Sequence, residues 1–148
     1  MEVALPQTNE KRFFLKKQDR LFSKIQIEYL FKHAKHFTEF PIRFSYCAIS
    51  NENRFWLDKN NKENQAMLCM FTASKRNFKR ANKRNKCKRL MREAYRLNRT
   101  TLLSSLEEKN IKVFISLNYI GKEILSYIEV ETALKKLLQK CLANINRE

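Results

Sequence analysis

The sequence predicts an α+β fold in which a single mixed sheet has its helices packed mainly on one face. Three apolar, strand-like runs lie at 42–49, 66–73 and 111–117. Two capping boxes and one long basic segment each mark the beginning of a stretch with apolar residues at helical spacing. The strand–basic helix–strand unit over 66–117 is long enough for a crossover between parallel strands. This order of elements favours one sheet layer with helices on one side.

The composition favours a single globular domain. Of the 148 residues, 43% are hydrophobic, which is enough to build a core and argues against disorder. Residues 1–12 are polar and are predicted to form a flexible tail, and the domain is predicted to span 13–146. No segment reaches the roughly eighteen apolar residues that cross a bilayer, and no signal peptide is evident. The four cysteines contain no CxxC pair, so we expect reduced thiols in a cytoplasmic protein without a membrane partner.

The first half of the chain predicts three elements. A short strand is predicted over 13–17. Ser23 and Gln26 form a capping box, which begins a helix that continues to about Lys35. The run 42–49 alternates apolar and polar residues, as a strand does when one of its faces is buried.

The second half predicts two more strands and two helices. Residues 51–65 are rich in Asn, Lys and Glu and predict a turn region, interrupted by a short apolar stretch. The strand at 66–73 is apolar enough to be central in the sheet, and the strand at 111–117 is almost wholly apolar. The basic helix lies between these two strands. A second capping box, formed by Ser126 and Glu129, begins the closing helix.

The charge of the chain is concentrated in one segment. Between Lys75 and Arg99 there are twelve Lys or Arg residues and one acid, Glu93, a net +11 of the formal +16. Like charges at this density repel one another in the folded state. Proteins usually retain them where a polyanion neutralises them, so this segment predicts binding to nucleic acid.

The basic segment has the pattern of an amphipathic helix over 77–99, without Pro or Gly. One stripe is apolar: Cys87, Leu90, Met91, Ala94 and Leu97. A basic ridge recurs every four residues: Arg80, Arg84, Lys88, Arg92 and Arg96. We therefore expect one side to dock on a core and the other to present cations. Glu93 is spaced to brace neighbouring guanidinium groups.

Two other interpretations of this segment are weaker. A solvated helix face usually mixes charges of both signs, and this one contains a single acid. A membrane-surface helix usually carries Phe or Trp in its apolar stripe, and this stripe has neither.

The sequence predicts no catalytic, metal-binding or cofactor-binding residues. The single glycine, Gly121, argues against a phosphate-cradling loop, which needs several. Asp occurs only at Asp19 and Asp58, so no carboxylate cluster for a two-metal nuclease is evident. His33 and His36 are predicted to be surface or packing residues, because no further zinc ligands are suitably spaced. No Ser, Cys or Lys has a nearby base for nucleophilic catalysis.

The basic segment resembles the signature of the bacterial ribonuclease P protein component. The matching positions are Arg84-Asn85, Lys88-Arg89, Arg92-Glu93, Ala94-Tyr95 and Arg96. The resemblance runs from about Leu21 to Leu142 and includes Ser74–Arg76 and the closing helix. There are departures: the linker 77–83 is longer and lacks the family's Gly, and Lys86 stands where Arg is common. Arg-to-Lys replacement loses bidentate phosphate geometry.

The resemblance implies a fold, an activity and partners. The crossover through the basic helix would be left-handed, an exception to the usual rule. The protein would be a subunit of the ribonucleoprotein that removes the 5′ leader of precursor tRNA endonucleolytically. The catalytic RNA would hold Mg²⁺ and perform the hydrolysis, and the protein alone would bind no cofactor and be inert. Two alternatives stay open: a general RNA-binding or ribosome-associated protein, and a self-sufficient nuclease.

The resemblance also implies two binding surfaces. Contacts to the catalytic RNA are predicted for Lys79, Arg80, Arg84, Asn85, Lys88, Arg89, Arg92 and Arg96. A cleft between the first helix and the sheet would hold the single-stranded leader. There Phe31, Phe44 and Tyr46 are predicted to stack on bases, and Lys75 and Arg76 to contact phosphates.

Overall fold

The computed structural model describes residue 15 and residues 17–49 and 66–147. The predicted tail at 1–12 and the predicted turn region at 51–65 lie outside the described residues.

The described residues form helices, strands and one short 3₁₀ turn. In chain order they are the 3₁₀ turn Lys17–Asp19, α1 (Lys24–His33), β1 (Lys35–Glu39), β2 (Ile42–Ile49), β3 (Met67–Ala73), α2 (Ala81–Asn98), α3 (Thr100–Lys109), β4 (Lys112–Tyr119) and α4 (Tyr127–Arg147). The three predicted strands at 42–49, 66–73 and 111–117 are confirmed as β2, β3 and β4 to within two residues at each end.

The strands form one mixed sheet in the order β1-β2-β4-β3. The β1–β2 and β2–β4 pairs are antiparallel, and β3 pairs with β4 in parallel. The connection from β3 to β4 is therefore a crossover, and it contains α2 and α3. The left hand implied for this crossover stays a prediction.

The helices lie mainly on one face of the sheet, as predicted. Apolar residues of α2, α3 and α4 form the main core with Phe44, Tyr46, Ile115 and Leu117 of the sheet. On the other face, Leu30 of α1 packs in a smaller cluster. Successive strand residues point to opposite faces, so alternating apolar positions serve the two cores in turn.

The predicted central position of β3 is wrong, because β3 is an edge strand. Its apolar character has another cause: the segment before α1 covers its outer edge. Arg20 forms a parallel bridge with Cys69, and the Leu21 amide donates to the Cys69 carbonyl at 3.0 Å. This cover protects an edge that would otherwise present unpaired backbone groups.

A buried ion pair fixes the same segment to the end of α2. Asp19 and Arg99 lie 3.5 Å apart, and both side chains are about 95% buried. The strand predicted over 13–17 is wrong where it is described, since residue 15 lies outside any element and Lys17 begins the 3₁₀ turn.

β1 and α3 were not predicted from the sequence. The first helix ends at His33, earlier than predicted, and Lys35 already belongs to β1. β1 reads KHFTE and places only Phe37 among the core residues, so it has little strand pattern. α3 is separate from α2 and ends at Lys109, where the C-cap residue Asn110 closes the helix with a left-handed φ of 56°.

The two predicted capping boxes have different outcomes. Ser23 stands at the N-cap of α1 but makes no side-chain capping bond, so the first box is wrong. The Glu129 amide donates to Ser126 Oγ at 3.3 Å, which confirms the cap of α4.

All four cysteines are free and buried. Burial raises the pKa of Cys47 to about 11, so its thiol holds its proton at neutral pH.

Candidate nucleic-acid interface

One side of the basic helix is anchored in the core. Cys87, Met91, Ala94 and Tyr95 of α2 are fully buried, and Leu90 is half-buried. Leu97, also assigned to the apolar stripe, is 38% exposed. The helix has 18 residues, about 27 Å in length, and it keeps a fixed orientation on the sheet because its apolar side is enclosed.

The opposite side of α2 is open to solvent. Asn85, Lys86 and Arg89 are exposed there, and Lys79 and Arg80 are exposed just before the helix begins. No carboxylate of the described residues pairs with any of these four cations. They are available to an external anion.

The basic ridge divides into groups with different surroundings. A four-residue step turns 40° around the helix axis, so its members do not share one surface. Arg84, Lys88, Arg92 and Arg96 are only half exposed. Three of the guanidinium groups already have partners within the protein.

Arg84 holds the linker that precedes α2. Its Nη1 donates to the Phe78 carbonyl at 2.7 Å and to the Lys79 carbonyl at 2.9 Å. These bonds set the path of the linker that departs from the family pattern. Arg84 uses part of its hydrogen-bonding capacity in these two bonds to the linker. The RNA contact predicted for Arg84 stays a prediction.

Arg92 lies over the Phe71 ring, with its guanidinium carbon 5.4 Å from the ring centroid. Burial lowers the pKa of Arg92, and the nearby charges of Arg20 and Arg89 lower that pKa further. The three arginines therefore form one cationic cluster beside the β3 edge. Arg20 could not be assigned to this cluster from the sequence, because its position depends on how the segment before α1 docks.

Glu93, the acid of the basic helix, is paired with Arg96. Arg96 donates from Nε to Glu93 Oε2 at 3.1 Å and from Nη2 to Oε1. This hydrogen bonding lowers the pKa of Glu93 and raises the pKa of Arg96. The predicted brace is confirmed for Arg96. Because the Glu93 carboxylate is neutralised by Arg96, it does not neutralise the cations near Arg89.

The predicted stacking positions of Phe44 and Tyr46 are wrong. These side chains are 0% and 1% exposed and lie in the main core, on the sheet face opposite α1. Phe37 stacks against both rings, and Asn144 of α4 donates to the Tyr46 hydroxyl. The error has a simple cause: alternation in β2 placed them on one face but did not say which face α1 covers.

Phe31 remains accessible, with 53% of its side chain exposed on α1. The sheet face that carries α1 also has polar residues beyond the helix. Thr72 donates from its hydroxyl to Asn118 Oδ1 at 3.1 Å, and both side chains are half-buried. Lys75 and Arg76 are exposed immediately after β3 ends.

Two further properties concern metals and membranes. Within the ranges that the structure describes, His, Cys, Asp and Glu nowhere gather in groups of three that could hold a metal ion. Among those same residues, no helix is both long and apolar enough to cross a bilayer.

The fold is that of known ribonuclease P proteins. The structure of the Staphylococcus aureus RNase P protein superposes with a TM-score of 0.53 at 16% identity, covering 83% of this chain and 94% of that one. A mutant of the same protein with defective mRNA degradation activity gives 0.56 at 16% identity, covering 95% of this chain and 98% of the other.

Sequence comparison specifies the family. The family model for Ribonuclease P matches residues 15–142. Ribonuclease P protein components from two strains of Porphyromonas gingivalis are 32% and 33% identical over 138 residues, 93% of this chain and of each relative. The chain belongs to the ribonuclease P protein component family.

Proposed function

We propose that this protein binds the catalytic RNA of ribonuclease P and the 5′ leader of precursor tRNA, and so assists endonucleolytic removal of the leader. The observation that carries the proposal is the asymmetry of α2. Its apolar side is enclosed in the core, while its outer side carries exposed cations that pair with no carboxylate in the described part of the chain. Family membership supports RNA as the polyanion.

The contact with the catalytic RNA is electrostatic. Each phosphate that a Lys or Arg neutralises releases counterions, so affinity falls as salt rises. An α-helix does not enter the deep, narrow major groove of A-form RNA, so α2 recognises folded shape and backbone phosphates. Arg89 is exposed on this surface, and the charges of both Arg89 and Arg20 act on the neighbouring Arg92. This arrangement supports the assignment of the motif residues to RNA binding.

The leader lies across the sheet face that carries α1. Phe31 stacks on one base, and Lys75 and Arg76 meet phosphates at the other end. Stacking accepts any base, which suits leaders of different sequence. Thr72 and Asn118, on the same face of the sheet, supply hydrogen-bonding groups that were absent from the sequence-based prediction.

Catalysis belongs to the RNA. The protein contributes binding and orientation, and the Mg²⁺ ions that support phosphodiester hydrolysis are held by the RNA subunit in the assembled enzyme. What supports this division is the family to which the chain belongs, together with a surface suited to holding RNA.

The test is cleavage of a precursor tRNA by a bacterial ribonuclease P RNA at low Mg²⁺, with and without this protein. We expect the protein to restore cleavage at the mature 5′ end and to be inert alone. Binding of the RNA without restored cleavage would point to a general RNA-binding protein. Cleavage by the protein without RNA would instead establish a self-sufficient nuclease.

A further inference from the structure

A basic pocket of about 520 Å³ opens beside the N-terminal end of α2. Its walls are the linker residues 77–80 with Lys83 on one side and 122–124, from the loop between β4 and α4, on the other. The volume is within the range of ordinary ligand pockets. Two segments distant in sequence therefore form one concave surface.

The loop after β4 is held in place by Tyr119 and by the linker. The Tyr119 hydroxyl donates to the Glu123 carbonyl at 2.7 Å and accepts from the Leu125 amide at 2.8 Å. Asn77 Nδ2 donates to the Ile120 carbonyl at 3.2 Å, which ties the two walls together. A Cβ at Gly121 would lie 3.1 Å from Tyr119 Cε1, so the loop packs closely on this ring.

The linker wall is equally well supported. Arg84 holds the carbonyls of Phe78 and Lys79, and the Phe78 amide donates to the Ser74 carbonyl at 3.0 Å. The Phe78 ring is 6% exposed and lies 6.0 Å from the Tyr119 ring. The pocket is thus a pre-formed feature of the fold.

The pocket is strongly cationic. Lys79, Arg80, Lys83 and Lys122 line it, and the one lining carboxylate is Glu123. All four cations are exposed, and none forms an ion pair with a described carboxylate. This convergence of like charges from two walls is electrostatically costly without an anion between them.

We propose that this pocket binds a backbone phosphate of the RNA partner. The assignment rests on the proposed function, which supplies the RNA, and it adds Lys83 and Lys122 to the surface. Lys79 and Arg80 already belong to the predicted interface, so the pocket continues that surface around the end of α2. A phosphodiester suits the site because lysines contact phosphate as point charges from several directions.

The test uses two substitutions of opposite sign on one loop. Lys122→Ala removes a cation and is expected to weaken binding to a bacterial ribonuclease P RNA. Glu123→Gln removes the carboxylate and is expected to strengthen binding to the same RNA. Both side chains are exposed, and the bond from Tyr119 uses the Glu123 backbone, so both variants are expected to keep the wild-type melting temperature. A change due only to loop distortion would move both affinities in the same direction and would overturn the proposal.

Salt dependence locates the contact. The double variant Lys83→Ala/Lys122→Ala is expected to reduce the slope of log affinity against log salt by roughly 0.7–0.9, the contribution of one phosphate contact. Arg89→Ala is measured in parallel. If Arg89→Ala lowers the slope and the double variant does not, the pocket is not an RNA contact. If the wild type binds this RNA no better than an unrelated RNA, the proposed function itself fails.

A free nucleotide is the other possible source of phosphate. AMP is added to the wild-type protein, and the amide signals of the pocket are followed by NMR. Millimolar AMP that shifts these signals, together with an unchanged RNA slope in the double variant, would assign the pocket to a small nucleotide and overturn the RNA contact. An altered slope, with or without AMP binding, supports the RNA phosphate.

Discussion

At the scale of single residues, partners within the protein decide which cations are available. Arg96 is paired with Glu93, and Arg84 is bonded to backbone carbonyls, whereas Arg89 is exposed and pairs with no carboxylate among the residues that the structure describes. Residues of one sequence motif thus have different structural roles. The arginines that shape the surface are separable from those that are expected to meet RNA.

Arg89→Ala is expected to weaken binding to the catalytic RNA and leave the fold intact. The slope of log affinity against log salt should fall by about 0.7–0.9, the contribution of one phosphate contact. Fluorescence titration of labelled RNA over a salt series gives this slope. The control is Lys136→Ala, an exposed cation on α4 near Glu39 of β1, at the opposite edge of the sheet from β3. Equal slopes in the wild type and Arg89→Ala would remove Arg89 from the interface.

Phe31 and Phe44 should respond in opposite ways to truncation. Phe44→Ala leaves a cavity in the main core and is expected to cost about 3–5 kcal/mol of the free energy of unfolding. Phe31→Ala is expected to change the stability by less than about 0.5 kcal/mol. Instead it should weaken precursor tRNA binding by about 1–3 kcal/mol, the contribution of one stacked base.

Urea denaturation measures the stability of both variants, and binding is measured with precursor and with mature tRNA. The loss in Phe31→Ala should appear only when the leader is present. An equal loss with mature tRNA would place Phe31 outside the leader site.

At the scale of elements, the segment before α1 stabilises an edge strand and also contributes charge. Its backbone pairs with Cys69 of β3, and its Asp19 carboxylate reaches the buried Arg99 at the end of α2. The charge of the Arg20 side chain then acts on Arg92. A short segment therefore joins β3, α2 and the proposed RNA surface.

Asp19→Ala is expected to destabilise the protein by roughly 3–5 kcal/mol, because it leaves the Arg99 guanidinium buried without its carboxylate. The Leu21 amide should then exchange its hydrogen faster, since its bond to the Cys69 carbonyl depends on the docked segment. Hydrogen–deuterium exchange with urea denaturation measures both effects.

Arg20→Ala is the matched control on the same segment. Its backbone bridge remains, so stability should be retained while the salt slope of RNA binding decreases. Slow exchange at Leu21 in Asp19→Ala would show that the ion pair does not hold the segment.

At the scale of the whole molecule, a hydrogen-bond network joins the C-terminal end of α2 to α4. Asn98 Nδ2 donates to Glu131 Oε2 at 3.0 Å, and the Tyr127 hydroxyl donates to the same oxygen at 2.8 Å. These bonds lower the pKa of Glu131 below its ordinary value of 4.5. Burial, followed by the Glu131 carboxylate, raises the pKa of Tyr127 to about 12, so the phenol remains a donor.

This network predicts a dependence of stability on acid. Because the pKa of Glu131 is lower in the folded state, its stabilisation is complete above the unfolded value and disappears as the pH falls through the folded value. Glu131→Gln is expected to reduce the free energy of unfolding by about 1 kcal/mol at neutral pH. The difference from the wild type should shrink in acid.

Urea denaturation over a pH series measures this difference. Thr132→Val provides a control on the same helix, since its exposed hydroxyl donates to a backbone carbonyl and does not titrate. A difference between wild type and Glu131→Gln that is constant with pH would contradict the network's role.

Features that depend on neighbouring residues could be predicted from the chain alone. The amphipathic character of α2 and the three main strands follow from residue types at regular spacing, because each element buries its own apolar side. The cap at Ser126 follows from a local residue pair, and the family resemblance rests on matched motif positions in α2. The polar strand β1 and the break between α2 and α3 were not predicted, because neither has a distinctive pattern of residue types.

Contacts between residues of different elements, in contrast, depend on the tertiary fold. Alternation placed Phe44 and Tyr46 on one face of β2, but the packing of α4 on that face made them core residues. Likewise, the fold brings Arg20 near Arg92. It also brings Lys122 and Lys83 together in one pocket. Such contacts depend on strand order and helix docking, which the spacing of residues along a single element does not specify.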